Sequence, residues 1–359
     1  MWAMMQKLRM VRGSVVGTRQ STVGAGVSRC REPGCLPHET MAILILVRAP
    51  WSQLPPHVLA EVEQLLDFPV VRAVSQAGGF SPGVAARVRG PHGERAFVKA
   101  ASGAVNAGSL LMHRREARLT PLLPSALGSP RLLGTYDDGD WVALVLEEVD
   151  GRPPRLPWQE ADLTAALAVL DQLAEVPAPA GLPTAAEVLA ADFGGWARLA
   201  AGPEPVPSLS GEMTWLSAWE ARNLARLAEL EQSWPDACAG RSWLHLDVRA
   251  DNLLLRPDGS AVLVDWPSSG SGNPVLDLVA FAPSAVRDGA PPAQELLRRT
   301  NAGRLADPDL VTVLVCAVAG YFQHRRRQPP PAGMPTVRAS QAAQGDVALA
   351  WLRQRLGEA

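Results

Sequence analysis

Residues 245–265 constrain this chain more than any other stretch. They read His245-Leu246-Asp247-Val248-Arg249-Ala250-Asp251-Asn252, then an apolar run Leu253-Leu254-Leu255, then a turn Pro257-Asp258-Gly259-Ser260, and finally Ala261 to Val264 and Asp265. A Pro-Asp-Gly turn between two short apolar runs predicts a hairpin with strands Asn252 to Arg256 and Ala261 to Val264. Asn252 opens that hairpin and Asp265 closes it, so the pairing brings two oxygen-bearing side chains together. Asp247 lies in the loop just before. Taken singly these residues have ordinary readings: His245 as a buried histidine with its bonds satisfied, Asp265 as a strand-end turn residue. Their joint spacing is what points to a site.

Composition narrows the class. Of 359 residues, 47% are hydrophobic and 19% charged, which describes a globular chain and excludes a disordered or collagenous one. The formal net charge of -2 offers no basic field for nucleic acid or an acidic membrane. Neither is expected as a partner. Four cysteines, Cys30, Cys35, Cys238 and Cys316, are too scattered for a disulfide scaffold and fit a reducing, cytoplasmic setting. Met41 to Val47, an early apolar run, is too short to span a bilayer.

Residues 1–40 are Arg-rich, with no acid before Glu32 and no sustained period, and read as a disordered extension or an over-called start ahead of Met41. An N-terminal lobe is expected over 41–147. It has a short helix from Pro56 to about Leu66, then extended pieces at Val70–Val74, Val84–Val88 and Ala96–Ala100. A helix from about Ala107 to Leu123 follows, and two more strands at Arg131–Tyr136 and Trp141–Leu146. Gly-rich or Asp-Gly turns separate the strands, which predicts a small antiparallel sheet with one inserted helix. Glu147 to Pro154 reads as a linker. The second lobe, 148–359, is mostly helical, with helices expected at Ala161–Ala174, Ala185–Leu199, Glu212–Gln232, 275–287, 292–302, 308–324 and 339–355. The fold class is therefore α+β with two lobes.

Phosphoryl transfer needs a set like that in 245–265. A carboxylate orients an acceptor hydroxyl and takes its proton, and two oxygen ligands hold Mg²⁺ against a triphosphate. Here the sequence resembles the aminoglycoside phosphotransferase family, which shares the protein-kinase-like bilobal fold with choline kinases and related small-molecule kinases. The likeness covers most of the chain after about residue 67, with its specific motifs in 245–277. It implies Asp247 as catalytic base, Asn252 and Asp265 as magnesium ligands, and His245 as the histidine opening the loop. It also implies Asp277 as the aspartate that steadies the loop backbone; alone, Asp277 reads as a helix cap. The chain departs from the family at Leu246, where glycine is usual, and at Arg249-Ala250-Asp251, where His-Pro-Gly is frequent. Arg249 stands where it either contacts a phosphate or faces solvent.

The first lobe supplies parts for a nucleotide grip. Gly78-Gly79-Phe80-Ser81-Pro82-Gly83 lies between two extended pieces, where backbone N–H groups of Gly78, Gly79, Ser81 and Gly83 suit phosphate oxygens. Lys99 and Lys7 are the only two lysines among 34 basic residues, and Lys99 lies in a strand, Phe97-Val98-Lys99-Ala100, like the lysine that bridges α- and β-phosphates in kinases. Glu116 is the only acid between Glu94 and Asp137, and so its expected partner if the lobe folds this way. Glu147 to Gly151 read as the hinge whose backbone meets adenine, Glu147 and Val149 among its contacts, with Val84, Ala86 and Leu146 as pocket walls or core. ATP and Mg²⁺ are the expected cofactors.

The acceptor is less legible. Residues 160–240 hold twelve acids against three arginines, which fits either an acidic wall for a cationic amino-sugar or solvated helix faces. The last sixty residues are Arg-rich instead. The expectation is an ATP-dependent kinase of a small hydroxylated molecule, monomeric or homodimeric, with no antibiotic specified. The alternatives are a choline, sugar, amino-alcohol or macrolide kinase of the same fold, or a kinase-shaped nucleotide-binding protein without turnover. The absence of an Ala-Pro-Glu segment at a suitable distance after Asp265 argues against a protein kinase.

Overall fold

The computed structural model describes residues 49–76, 83–202, 216–330 and 336–358. Gly78, Gly79 and Ser81 of the expected phosphate loop, and the segment 1–40, lie outside the described residues. Five strands form an antiparallel sheet: β1 (Arg72–Ser75), β2 (Val84–Arg89), β3 (Arg95–Ser102), β4 (Leu132–Asp137) and β5 (Trp141–Leu146), in spatial order β1-β2-β3-β5-β4. Helix α1 (Pro56–Leu66) has its proline in the first turn, where no N–H is needed, and buries Val58, Val62 and Leu66 at helical spacing. These pack into one cluster with Val84, Ala86, Val88, Ala96, Val98 and Ala100.

That packing fixes the face of each strand residue. Side chains alternate across a strand, so with Ala86 and Val98 toward α1, Arg87, Phe97 and Lys99 point the other way. Val84 and Ala86, candidates for an adenine wall, are therefore core residues under α1; Leu146 alone of the three lines the cleft. Strand β2 is preceded by Gly83, whose φ of +144° and position beside the Ala100 carbonyl (a Cβ would stand 2.5 Å from its oxygen) leave no room for a side chain.

Helix α2 (Gly103–Leu119) joins β3 to the rest of the sheet. The Ser102 hydroxyl accepts the Ala104 N–H, and the helix is interrupted at Asn106, whose side chain accepts the Ser109 N–H at 2.7 Å and restarts it. The periodicity seen from Ala107 is the run after this break.

The rest is mainly helical: α3 (Glu160–Ala174), α4 (Ala185–Leu189), α5 (Gly195–Ala201), α6 (Ala218–Glu231), α7 (Trp234–Ala237), α8 (Val275–Arg287), α9 (Ala293–Arg299), α10 (Asn301–Leu305), α11 (Pro308–Arg326) and α12 (Val337–Arg355). Their core holds Trp196, Trp243, Trp266, Phe193, Phe281, Tyr321 and Phe322. Three expected helices change. Ala185–Leu199 is two helices, because Gly194 takes φ +86° and the first N–H groups of α5 turn to the Glu231 carboxylate. The helix expected from Glu212 starts at Ala218, capped by Ser217 and Glu220 in a reciprocal box. The helix at 292–302 breaks at Thr300, which leaves one helix and caps the next. No helix among the described residues is long and apolar enough to cross a membrane.

Two hairpin-like pairs position the site. Strands β7 (Leu253–Leu255) and β8 (Ala261–Leu263) form the expected hairpin. The second pair, β6 (Ser242–Leu244) with β9 (Gly270–Gly272), was not legible in the sequence. Gly-Ser-Gly carries no strand signal, yet β6 delivers the chain into His245 and β9 follows shortly after Asp265. The expected linker at 147–154 is also tied down: Arg152 exchanges two backbone hydrogen bonds with Leu255, at 3.0 and 2.7 Å.

Candidate active site

The loop from His245 to Asn252 is held from beneath by Asp277 in the first turn of α8. Its carboxylate accepts the His245 and Leu246 N–H groups, both at 2.7 Å. Asp277 is buried, and burial pushes its pKa up to about 7 despite the two donors. The two bonds grip a strained backbone: Leu246 has φ +58°, the left-handed region that glycine enters freely and leucine does not. The chain therefore keeps the backbone that a glycine would give and fills the position with a leucine whose side chain is buried.

His245 is fully buried. Its Nε2–H donates to the Val264 carbonyl at 3.0 Å and its Nδ1 accepts the Asp247 N–H at 3.2 Å. One neutral tautomer satisfies both, and burial lowers its pKa, so the ring stays uncharged. Its plane packs edge-on against Trp266, centroids 4.6 Å apart, and Trp266 packs in turn on Trp243. His245 thus ties the loop to the residue before Asp265.

Asn252 turns its amide nitrogen back, donating to the Asp247 carbonyl at 2.8 Å and to the Asp247 carboxylate at 3.2 Å. Its side-chain oxygen is left as the atom available to a cation. The Val264 N–H donates to the Asn252 carbonyl at 3.0 Å, continuing the hairpin by one pair and setting Asn252 beside Asp265. Asp265 itself has φ +69°, a second strained position in the site.

Across the cleft, Lys99 Nζ lies 2.7 and 2.9 Å from the Glu116 carboxylate and 3.1 Å from Asp265 Oδ1. Burial by itself would lower the lysine pKa, but Asp265 and Glu116 outweigh it and raise it, so the ammonium stays charged. Arg115, the neighbour of Glu116, donates to the Ser269 carbonyl at 2.6 Å and ties α2 to the segment after Asp265. Arg249 is mostly buried. It grips Asp251 with two nitrogens and lies 3.6 Å from Asp247 Oδ1, and these carboxylates more than offset burial and raise its pKa.

Lys99, Glu116, Glu147, Val149, Asn252 and Asp265 all line one cleft of about 380 Å³, together with Phe97, Leu146, Leu254, Val264 and Trp266. The cleft thus has an apolar slot of five or more side chains and a polar end with one ammonium and several carboxylates, the pattern of a nucleotide-sized site. Glu148, between Glu147 and Val149, has its carboxylate buried under Arg87, Arg89 and Arg95 and so fixes the segment after β5 to β2 and β3. Glu148 falls within the hinge expected from sequence, whereas Arg87 and Arg115 are not expected there; for Arg87 the strand parity shared with Lys99 is the available signal, and Arg115 carries none.

The family model described as "Phosphotransferase enzyme family" matches residues 76–310. No curated protein matches the chain in a sequence search. Among solved structures, the chain is similar to an aminoglycoside phosphotransferase from Alicyclobacillus acidocaldarius subsp. acidocaldarius DSM 446, at 17% identity and TM-score 0.51, covering 87% of this chain and 98% of that one. It is similar to a spectinomycin phosphotransferase in complex with ADP and spectinomycin, at 11% identity and TM-score 0.53, covering 83% and 98%. It is also similar to the amicoumacin kinase hAmiN in complex with AMP-PNP, Ca²⁺ and Ami, at 11% identity and TM-score 0.51, covering 82% and 93%. At these identities the likeness establishes the shared kinase-like fold.

Proposed function

Since the chain belongs to the phosphotransferase enzyme family, we propose that it transfers the γ-phosphoryl group of ATP to a hydroxyl of a small molecule. The observation that carries this reading is the convergence, on one cleft, of Lys99 paired with Glu116 and of Asn252 beside Asp265, with Asp247 directly behind Asn252. The alternative of a binding protein without turnover would leave the Asp247 arrangement without a task.

The donor set fits a magnesium ion: one carboxylate, Asp265, and one amide oxygen, Asn252, are few, and magnesium takes its remaining ligands from waters and phosphates. Bound there, the ion would supply neutralisation of the phosphate charge during transfer. The protein's own residues do the rest. Lys99 holds the α- and β-phosphates, with Glu116 fixing its ammonium. The apolar slot between Phe97, Leu146, Val149 and Leu254 accommodates the base, and the backbone of Glu147 to Val149 forms its edge. Gly83, and Gly78, Gly79 and Ser81 from the segment outside the described residues, are assigned to the phosphates. Asp247 orients the acceptor hydroxyl and takes its proton as the new O–P bond forms and the bond to the β-phosphate oxygen breaks, its electron pair leaving with ADP. Arg249, which grips Asp251 and lies 3.6 Å from Asp247 without lining the nucleotide cleft, is assigned to holding the loop beside the base. His245 contributes by position: it sets the Asp247 backbone and touches no reactant.

Nucleotide binding tests this directly. Mg²⁺–ATP is expected to raise the melting temperature by several degrees, and Asp265→Asn is expected to remove the dependence of that shift on magnesium while the protein stays folded. A wild-type melting temperature indifferent to Mg²⁺–ATP would sink the reading.

A further inference from the structure

A second cavity, of about 250 Å³, lies on the other side of the catalytic loop. Arg249, Ala250 and Asp251 form one wall, and Asp251 also lines the nucleotide cleft, so the two cavities meet at this residue. Asp247 itself lines neither cavity; Arg249, in this wall, lies 3.6 Å from its Oδ1. The other walls come from the end of α8 (Ser284, Arg287, Asp288) and the start of α12 (Ser340, Gln344), closed by Leu156 and Val337. A molecule approaching the 249–251 loop from outside the nucleotide cleft would sit here.

Its charges cancel within the protein. Asp251 is gripped by Arg249, and Asp288 by Arg287 through two nitrogens at 2.7 Å. The remaining Arg287 nitrogen donates to Ser340 Oγ at 2.8 Å. The wall therefore has two cations, two anions and no net charge, set among hydroxyl, amide and aliphatic groups.

The acid-rich stretch 160–240 does not change this. None of its acids lines the cavity among the described residues, and most of them have structural tasks. Glu160 pairs with Arg299, Asp162 with Arg152, and Asp192 with Arg325. Asp171 caps the Asn301 and Ala302 N–H groups, while Glu187 and Glu220 close capping boxes. Glu231 receives the first N–H groups of α5. A polycation binds where several carboxylates lack counter-ions, and among the described residues this cavity offers none.

From this we infer that the acceptor is an uncharged hydroxyl compound with apolar surface, about one sugar ring in size, and not a polycationic amino-sugar. The inference rests on the phosphotransferase reading of the cleft beside it. It is tested with the full chain at saturating Mg²⁺–ATP analogue, by ligand-observed NMR against three probe panels: neutral sugars and polyols, amino-sugars, and sugar acids. Binding by members of the neutral panel, with affinity changing less than about twofold between 50 and 300 mM salt, is the expected result. Ser340→Phe, which fills the cavity, should weaken that binding at least tenfold and leave nucleotide affinity unchanged. Salt-sensitive binding of the amino-sugars or sugar acids, or no binding by any neutral probe while nucleotide still binds, would overturn the inference. Should Ser340→Phe not fold, Gln344→Leu probes the same wall. Loss of nucleotide binding itself would instead count against the phosphotransferase reading.

Discussion

Leu246 gives the sharpest quantitative test of how the catalytic loop is held. The residue occupies φ +58° and buries its side chain, so two opposed terms can be separated by substitution. Removing the side chain to Ala loses a buried leucine's packing, about 2–5 kcal/mol, and leaves the strained backbone in place. Going on to Gly relieves the left-handed strain, about 1–2 kcal/mol, and adds the entropy of a glycine in the unfolded chain, about 0.5–1 kcal/mol. At an ordinary position Gly is the worse of the two by about 1 kcal/mol. Here the sign should invert or vanish: stability should rank Leu above Gly, with Gly equal to Ala or better by up to about 1.5 kcal/mol. Denaturant unfolding of the three proteins at fixed m-value reads the ranking. Gly clearly below Ala would refute the account of a strained loop held down by Asp277.

Three further outcomes follow from the same contacts. Glu116→Gln leaves the buried Lys99 with Asp265 as its remaining carboxylate; at the low end of the usual range for breaking a buried pair, the loss should be about 2–4 kcal/mol, and KM for nucleotide should rise more than KM for acceptor. Arg115→Ala removes a charge-assisted bond from α2 to the Ser269 carbonyl; kcat should fall several-fold with a stability loss of about 1.5–3 kcal/mol, and equal kcat would show that this tie does not hold the site. Asp162, bonded by Arg152 and the Arg155 N–H, has its pKa held down to about 2. A carboxylate with a depressed folded pKa stabilises above its unfolded value and loses that contribution as pH falls toward the folded one. The destabilisation by Asp162→Asn should therefore be complete above about pH 5 and shrink as pH drops from about 4 toward 2. A pH-independent difference in unfolding free energy would contradict it.

The parts of the site legible in sequence were those whose chemistry is local. Asp247, Asn252 and Asp265 are spaced by a loop and a hairpin, and short-range rules predict both. Lys99 stood out because arginine has replaced lysine almost everywhere else, and Glu116 because no other acid was near. What failed to show was whatever depends on packing. Val84 and Ala86 are apolar and next to the cleft in sequence, but the face they take is decided by α1 on the far side of the sheet. Gly270–Gly272 becomes a strand because β6 pairs with it, although Gly-Ser-Gly has no preference for strand. The break at Gly194 follows from a carboxylate thirty-seven residues away, Glu231, drawing in the N–H groups of the next helix. The acids of 160–240 looked available from composition, and only the fold shows most of them already engaged.

The central claim is that Asp247 directs phosphoryl transfer in a site that binds nucleotide independently of it. The direct measurement follows labelled γ-phosphate from Mg²⁺–ATP into a hydroxylated acceptor, for wild type and Asp247→Asn, with nucleotide affinity measured on the same samples. Transfer should fall by about 10²–10⁴-fold in the variant with nucleotide affinity within a few-fold of wild type. Equal transfer in both proteins would contradict the assignment of Asp247 as the base.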